Sequence, residues 1–207
     1  MSELSGVAAR TGQLVSEAES AAYDPVSKLL HWGLAVAVFA MLAFGFYLDA
    51  LPFSEAKVAL IQLHKSSGVA IAVFVLLRLA RRMRDGFLPL SESETAIRRR
   101  VVRCVHFLLL LLPVGMVVTG VLRSLAYGRS VRVFGAPFIP AVMEKNEPLH
   151  EAASSAHAVF AWVFLACIVL HAAAALWHHL VKRDATLTRM LPATLARQAG
   201  AVAKVAR

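Results

Sequence analysis

Four long apolar segments constrain the fold of this chain more than any other feature of its sequence. A membrane-crossing helix needs about 20 mostly apolar residues, and four segments qualify, at about 29–48, 58–79, 104–122 and 154–180. Backbone polar groups find no water partner in lipid, so such segments cross it as helices. The sequence therefore predicts an all-α integral membrane protein with a four-helix transmembrane bundle.

The composition agrees with a protein embedded in lipid. Of the 207 residues 58% are hydrophobic, yet the formal net charge is +9, which is typical of apolar spans joined by basic loops. A basic chain can instead bind nucleic acid. Here the basic residues lie between the apolar segments and not along one amphipathic face, so we expect membrane lipid and no nucleic acid as a partner.

Lysines and arginines are distributed unequally between the two sides of the predicted bundle. If the N-terminus is cytoplasmic, 16 of the 22 lie on the cytoplasmic side and six lie outside. Eight of the 16 fall in or beside the short connection between spans two and three, where the positive-inside rule applies well. We therefore predict a multi-pass membrane protein with both termini cytoplasmic, which in a bacterium would lie in the inner membrane.

Five histidines lie within or at the edges of the spans, where ionisable side chains are costly and usually functional. They are His31, His64, His106, His157 and His171. Following the chain across the membrane places His31 and His171 near the inner surface, and His64 and His157 near the outer surface. His157 and His171 are 14 residues apart, which is about 21 Å along one helix face. The spacing predicts two cross-helix pairs at two depths.

Facing imidazoles in an apolar bundle suit a haem iron with two axial histidines, because the macrocycle is apolar and iron takes the nitrogen lone pairs. We therefore predict an inner haem b between His31 and His171 and an outer haem b between His64 and His157. On depth alone, His106 competes for the inner haem. A single histidine could instead form a hydrogen bond to a neighbouring helix. A zinc or proton-relay site would have its ligands at one depth, whereas these histidines lie at two.

Four motifs resemble those of the bacterial cytochrome b561 family, which are four-helix membrane proteins with two b-type haems. They are YDPVSKLLHW, LIQLHKSSGVAIAVFVLLRLARR, HFLLLLLPVGMVVTG and HAAAALWHHLVKRDATLTRMLP, one in each span. The last is the most specific and is similar to the superoxide oxidase branch, which passes electrons from superoxide to ubiquinone. The resemblance implies the same function here, with two haems b as cofactors and ubiquinone as electron acceptor.

The resemblance also implies roles for individual histidines. The axial ligands of the family match the two pairs given above: His31, His64, His157 and His171. His106 matches a recurrent histidine that binds no iron. His178, the first of two adjacent histidines, matches a residue of the quinone region, so a quinone contact is expected there. His179 and His150 receive no role.

The chain departs from the family pattern beside the outer haem. Relatives often carry His-Glu where this sequence has His157 and Ala158, and the glutamate here, Glu151, follows His150 instead. His150 lies 21 residues before His171, about 31 Å along a helix, which equals the full bilayer core. A haem on His150 would therefore lie among the headgroups, and we keep His157 as the expected ligand.

These features divide the chain into a polar N-terminal tail, 1–22, a four-helix di-haem domain, 23–192, and a basic C-terminal tail, 193–207. A haem with two histidine ligands has no open position, so it suits electron transfer, and no catalytic side chain beyond the haems is expected. Lys65 and the loop arginines are expected to attract superoxide at the outer face. The alternative is a non-catalytic cytochrome b subunit of a hydrogenase or formate dehydrogenase type complex, although the sequence requires no protein partner.

Overall fold

Four long helices form the fold in the computed structural model, which describes residues 22–86, 95–192 and 195. The helices, α1 to α4, are Pro25–Ala50, Glu55–Asp85, Ala96–Ala126 and Glu147–Trp177, and one turn of π-helix, His178–Lys182, continues α4. All four are long and apolar enough to cross a membrane, which confirms the predicted bundle. The predicted tails lie outside the described residues, apart from positions 22 and 195.

Helices α1 to α3 contain their predicted spans and extend beyond them, and α4 contains its span 154–180 only together with the π-helical turn. The reason is that polar side chains, and not the membrane boundary, set where the helices begin. Each start has a side chain that accepts a hydrogen bond from an otherwise unpaired backbone N–H of the first turn. These capping residues are Asp24, Ser54, Thr95 and Asn146.

Helices that follow one another in the chain pack against one another, and the α3–α4 contact is the most extensive. The buried centre of the bundle is a small apolar cluster formed by Leu42, Leu112, Phe164 and Cys167. Many other large apolar side chains are exposed, as expected where lipid surrounds the helices. Phe164 lies halfway along α4 between His157 and His171, so the apolar cluster separates the two histidine levels.

The connection between α3 and α4 contains a β-hairpin that the apolar pattern did not predict. β1 (Val131–Val133) pairs antiparallel with β2 (Ala136–Ile139), and this is the only β structure in the part of the chain described. The turn residues Phe134 and Gly135 both have positive φ, 47° and 87°, as in tight hairpin turns. The Phe134 N–H donates to Ser66 Oγ at 3.0 Å, which fixes the hairpin to α2 two residues after His64.

Candidate functional site

Three histidines from three helices meet at the end of the bundle away from the hairpin. His31 of α1 faces His171 of α4, with ring centroids 6.2 Å apart and planes at 79°. His106 of α3 lies beside the same ring, with centroids 5.1 Å apart. The expected juxtaposition of His31 and His171 is therefore present, and His106 does lie at the same level.

The separation of the rings distinguishes the pairs that could share an iron. A metal–imidazole bond is about 2 Å long, so two rings on opposite sides of one metal have centroids about 6 Å apart. His31 and His171 have this separation. His106 and His171 lie closer than this, so His106 fits better as a neighbour of the pair than as a member of it.

The second pair lies near the hairpin end. His64 of α2 and His157 of α4 are close enough to interact electrostatically. His157 Nδ1 lies 3.0 Å from Thr119 Oγ1, whereas His64 Nδ1 is buried with no hydrogen-bond partner among the described residues. An unpaired buried nitrogen costs free energy, and an iron bond through Nε2 of the His64 ring would not remove that cost, because the ring hydrogen would then lie on Nδ1.

Two glycines lie directly against these rings. A Cβ atom at Gly45 would lie 3.4 Å from Cε1 of His64, and one at Gly120 would lie 3.4 Å from Cε1 of His157. A larger side chain at either position would press on an imidazole. Small residues on both sides of the pair leave the room that a bulky planar cofactor requires.

The helix arrangement also fits such a cofactor. The two histidine pairs join α1 to α4 and α2 to α4, and neither helix pair packs extensively through its backbone within the described residues. Space between helices that are connected mainly by side chains is where bundles hold cofactors. The donor set and this space fit haem at both levels, and the ring separation fits it at the level of His31 and His171.

His178 lies in a polar cluster where α4 ends. Its Nε2 is 2.6 Å from Arg98 Nη2, and its Nδ1 contacts Asp184 Oδ2 and lies 3.3 Å from Thr186 Oγ1. A guanidinium can only donate, so Nε2 of His178 accepts and Nδ1 carries the hydrogen. Sequence reasoning identified His178 and the arginines near Arg103 as candidates but missed Asp184, although Asp184 lies within the most specific motif, in the stretch HHLVKRD.

A cavity of about 440 Å³ opens at the hairpin end beside α2. Lys65 and Arg129 contribute its cationic groups, and Phe53 and Ile61 contribute apolar wall. Lys65 follows His64 directly, and Arg123 is also close enough to act on its charge. The cavity therefore gathers positive charge at the end of the bundle where the His64–His157 pair lies, and the charge of Arg123 acts on both histidines.

Other residues singled out in the sequence lie outside this cavity. Lys57 Nζ donates to the Leu51 carbonyl at 2.6 Å, and Arg132 Nε donates to the Gly135 carbonyl at 3.0 Å. His150 Nδ1 lies 2.9 Å from the Arg123 carbonyl oxygen. His150 is thus held by the end of α3, while His157 is the histidine of α4 that lies beside His64.

Comparison with known proteins finds a family and relatives that are similar to this chain. Residues 22–193 match the family described as prokaryotic cytochrome b561. Cytochrome b561 homolog 2 of Escherichia coli (strain K12) is 31% identical over 175 residues, which cover 82% of this chain and 90% of that protein. The probable superoxide oxidase CybB of Yersinia pestis is 29% identical over 130 residues, 63% of this chain and 73% of that protein. The matched family region takes in all four helices and every histidine discussed above.

Proposed function

Because this chain belongs to the prokaryotic cytochrome b561 family, we propose that it oxidises superoxide at the hairpin end and reduces ubiquinone near the opposite end. Family membership and four membrane-spanning helices already make it a multi-pass membrane cytochrome b that transfers electrons. The observation that carries the finer proposal is the presence of two histidine pairs at two levels of one bundle. Such pairs define a path from one face to the other.

The proposed haem ligands are the members of these pairs, His31 with His171 and His64 with His157. A b-type haem, when bound, takes up one electron and passes it on. The 6.2 Å between the His31 and His171 centroids supports the first pair. The electrostatic proximity of His64 to His157 and the glycines against both rings support the second.

Superoxide is an anion, so positive charge beside the electron acceptor raises its rate of arrival. Lys65 and Arg129 supply this charge in the cavity at the end of the bundle that holds His64. The positive-inside rule places the hairpin end outside the cytoplasm. Two superoxide ions each lose one electron and leave as O₂, and the name of the Yersinia pestis relative supports this donor.

Ubiquinone takes two electrons and two protons, so its carbonyl oxygens need hydrogen-bond donors where it is reduced. Arg98 has donors for such an oxygen, and its contact with His178 shows that it reaches the centre of the polar cluster. Asp184 holds the hydrogen on Nδ1 of His178, which fixes the orientation of the ring. We assign this cluster to the quinone head group.

Stopped-flow mixing tests this function. Purified protein with bound haem and quinone is mixed with a superoxide source, and the haem absorbance is followed. The wild-type haem should become reduced much faster than in His157→Ala, while His150→Ala, which removes a histidine of the same end that is not a proposed ligand, should behave as wild type. Wild-type reduction no faster than in His157→Ala would instead indicate a non-catalytic electron-transfer subunit.

A further inference from the structure

Arg78 of α2 places a positive charge inside the bundle beside a proposed haem ligand. Its side chain is half-buried, its Nη2 lies 3.1 Å from Nδ1 of His31, and its Nη1 donates to the Ser27 carbonyl at 3.4 Å. Both neighbours are uncharged hydrogen-bonding groups. Within the described ranges, no carboxylate lies within ion-pair distance of Arg78.

Two other arginines on the same helix differ in this respect. Arg81 pairs with Asp24 at 3.0 Å, and Arg84 pairs with Asp85 at 2.7 Å. A guanidinium is charged at all physiological pH values, and a charge removed from water is costly unless it is paired. The acidic partner of Arg78 is therefore not found among the described residues, and a bound acidic group could supply it.

The contact between Arg78 and His31 is incompatible with iron ligation through Nε2 of His31. Because a guanidinium only donates, Nδ1 must accept from it, and the hydrogen of the neutral ring is then on Nε2. If Nε2 binds iron, the hydrogen moves to Nδ1, and two donors face each other. Arg78 must then turn to another acceptor.

We propose that this acceptor is a propionate carboxylate of the haem held by His31 and His171, so that Arg78 is a binding residue for that haem. The proposal rests on the proposed function only in taking His31 as a ligand. The planar fork of arginine matches a carboxylate through two parallel hydrogen bonds. The guanidinium already lies against the His31 ring, so it stands at the level of the haem that this histidine would hold.

Redox titration and haem content of the purified holoprotein test this role. Arg78→Leu should lower the midpoint potential of one of the two haems, because a cation near the haem favours its reduced form, and should reduce retention of that haem. Arg78→Lys should have an intermediate effect, since it keeps the charge but loses the fork. Arg84→Leu, which removes an exposed arginine of the same helix, should leave both haems unchanged.

A haem with neutral side chains separates carboxylate binding from a general effect of charge. Haem-depleted wild-type and Arg78→Leu protein are reconstituted with haem b and with its dimethyl ester. The difference in haem retention between the two proteins should be present with haem b and absent with the ester. An equal difference with both haems, or no difference with haem b, would overturn the proposal.

These readouts do not depend on the reaction with superoxide. A protein that retains two haems but does not react with superoxide contradicts the proposed function and leaves the Arg78 comparison intact. Conversely, an Arg78→Leu variant with wild-type haem retention and midpoint potentials contradicts the carboxylate site alone. If Arg78→Leu does not fold, the same comparison of haem b with its ester is made with Arg78→Lys.

Discussion

Thr119 Oγ1 lies 3.0 Å from Nδ1 of His157 across the α3–α4 interface. The Thr119 hydroxyl already donates to the Gly115 carbonyl at 2.7 Å, so its oxygen accepts from the imidazole. This hydrogen bond places the hydrogen on Nδ1 and leaves Nε2 free to bind a metal. His64, the opposite member of the pair, has no such partner for its own Nδ1 among the described residues. The two proposed ligands of one haem are therefore oriented by different means.

Replacing Thr119 by valine should weaken binding of the haem at the hairpin end. The change keeps the shape of the side chain but leaves the His157 N–H without an acceptor, and losses of such outer partners typically lower metal affinity about 10–100-fold. Haem retention during dilution and gel filtration measures the effect. Thr119→Ser keeps the hydroxyl and should retain haem as wild type does. Equal retention in Thr119→Val and Thr119→Ser would contradict this role.

His31→Ala and His171→Ala should remove the same haem. If both histidines bind the same iron, loss of either one removes that haem. Each variant then keeps one haem per chain, and the two variants have the same optical spectrum. His106→Ala is the control, because its ring lies beside His171 but at a separation too short for sharing an iron, and it should keep both haems. Removal of different spectral components by His31→Ala and His171→Ala would show that the pairing is wrong.

Lys65→Glu should slow haem reduction by superoxide about tenfold or more at low salt, because it places a negative charge in the cavity that the anion enters. The difference in rate between wild type and variant should decrease as the salt concentration approaches 1 M, where charges are screened over about 3 Å. Lys145→Glu is the matched control at the same end, since Lys145 pairs with Glu147 at 2.6 Å and does not line the cavity. A rate that is independent of salt in both proteins would exclude electrostatic attraction.

Gly115→Ala should destabilise the α3–α4 interface. A Cβ atom there would lie 2.8 and 3.0 Å from ring atoms of Phe160, and overpacking of this kind typically costs about 1–3 kcal/mol. The thermal unfolding midpoint in detergent should fall. Because Phe160 lies one turn from His157, the variant should also release haem more readily. At Gly33 an added Cβ meets nothing within 4 Å, so Gly33→Ala should be neutral or slightly stabilising.

Asp184→Asn should lower quinone reduction severalfold without loss of haem. Partial burial acts to raise the pKa of the Asp184 carboxyl, but hydrogen bonds from Thr186 and His178 outweigh it and hold the pKa below its ordinary value of 3.8. A lowered pKa means that the ionised group stabilises the fold above about pH 4, and that this contribution is lost as the pH falls further.

The pH profile tests that prediction. Asp184 remains ionised from pH 5 to 8, so the variant should be slower throughout this range without a shifted optimum. Asp85→Asn is the control, because Asp85 pairs with Arg84 and not with His178. This variant should reduce quinone at the wild-type rate. Unchanged quinone reduction in Asp184→Asn would remove this residue from the quinone region.

The sequence by itself determined the number of helices and the depth of each histidine. Both follow from constants of the polypeptide, since lipid requires helices and a helix rises by a fixed length per residue. The placement of His31 with His171 at one end, and of His64 with His157 at the other, was therefore predictable. The β-hairpin was not, because its strands are only three and four residues long and depend on the contact with Ser66.

Only the tertiary structure decided which groups touch each ring. His31 and His106 have the same depth, and it is the packing of α1, α3 and α4 that puts one centroid 6.2 Å and the other 5.1 Å from His171. The positions of Thr119 and Arg78 against their histidines follow from the same packing. Spans that are apolar on all sides do not specify in their pattern how a helix is rotated or which neighbour it meets. Close contacts between side chains decide that, and they exist only in the assembled bundle.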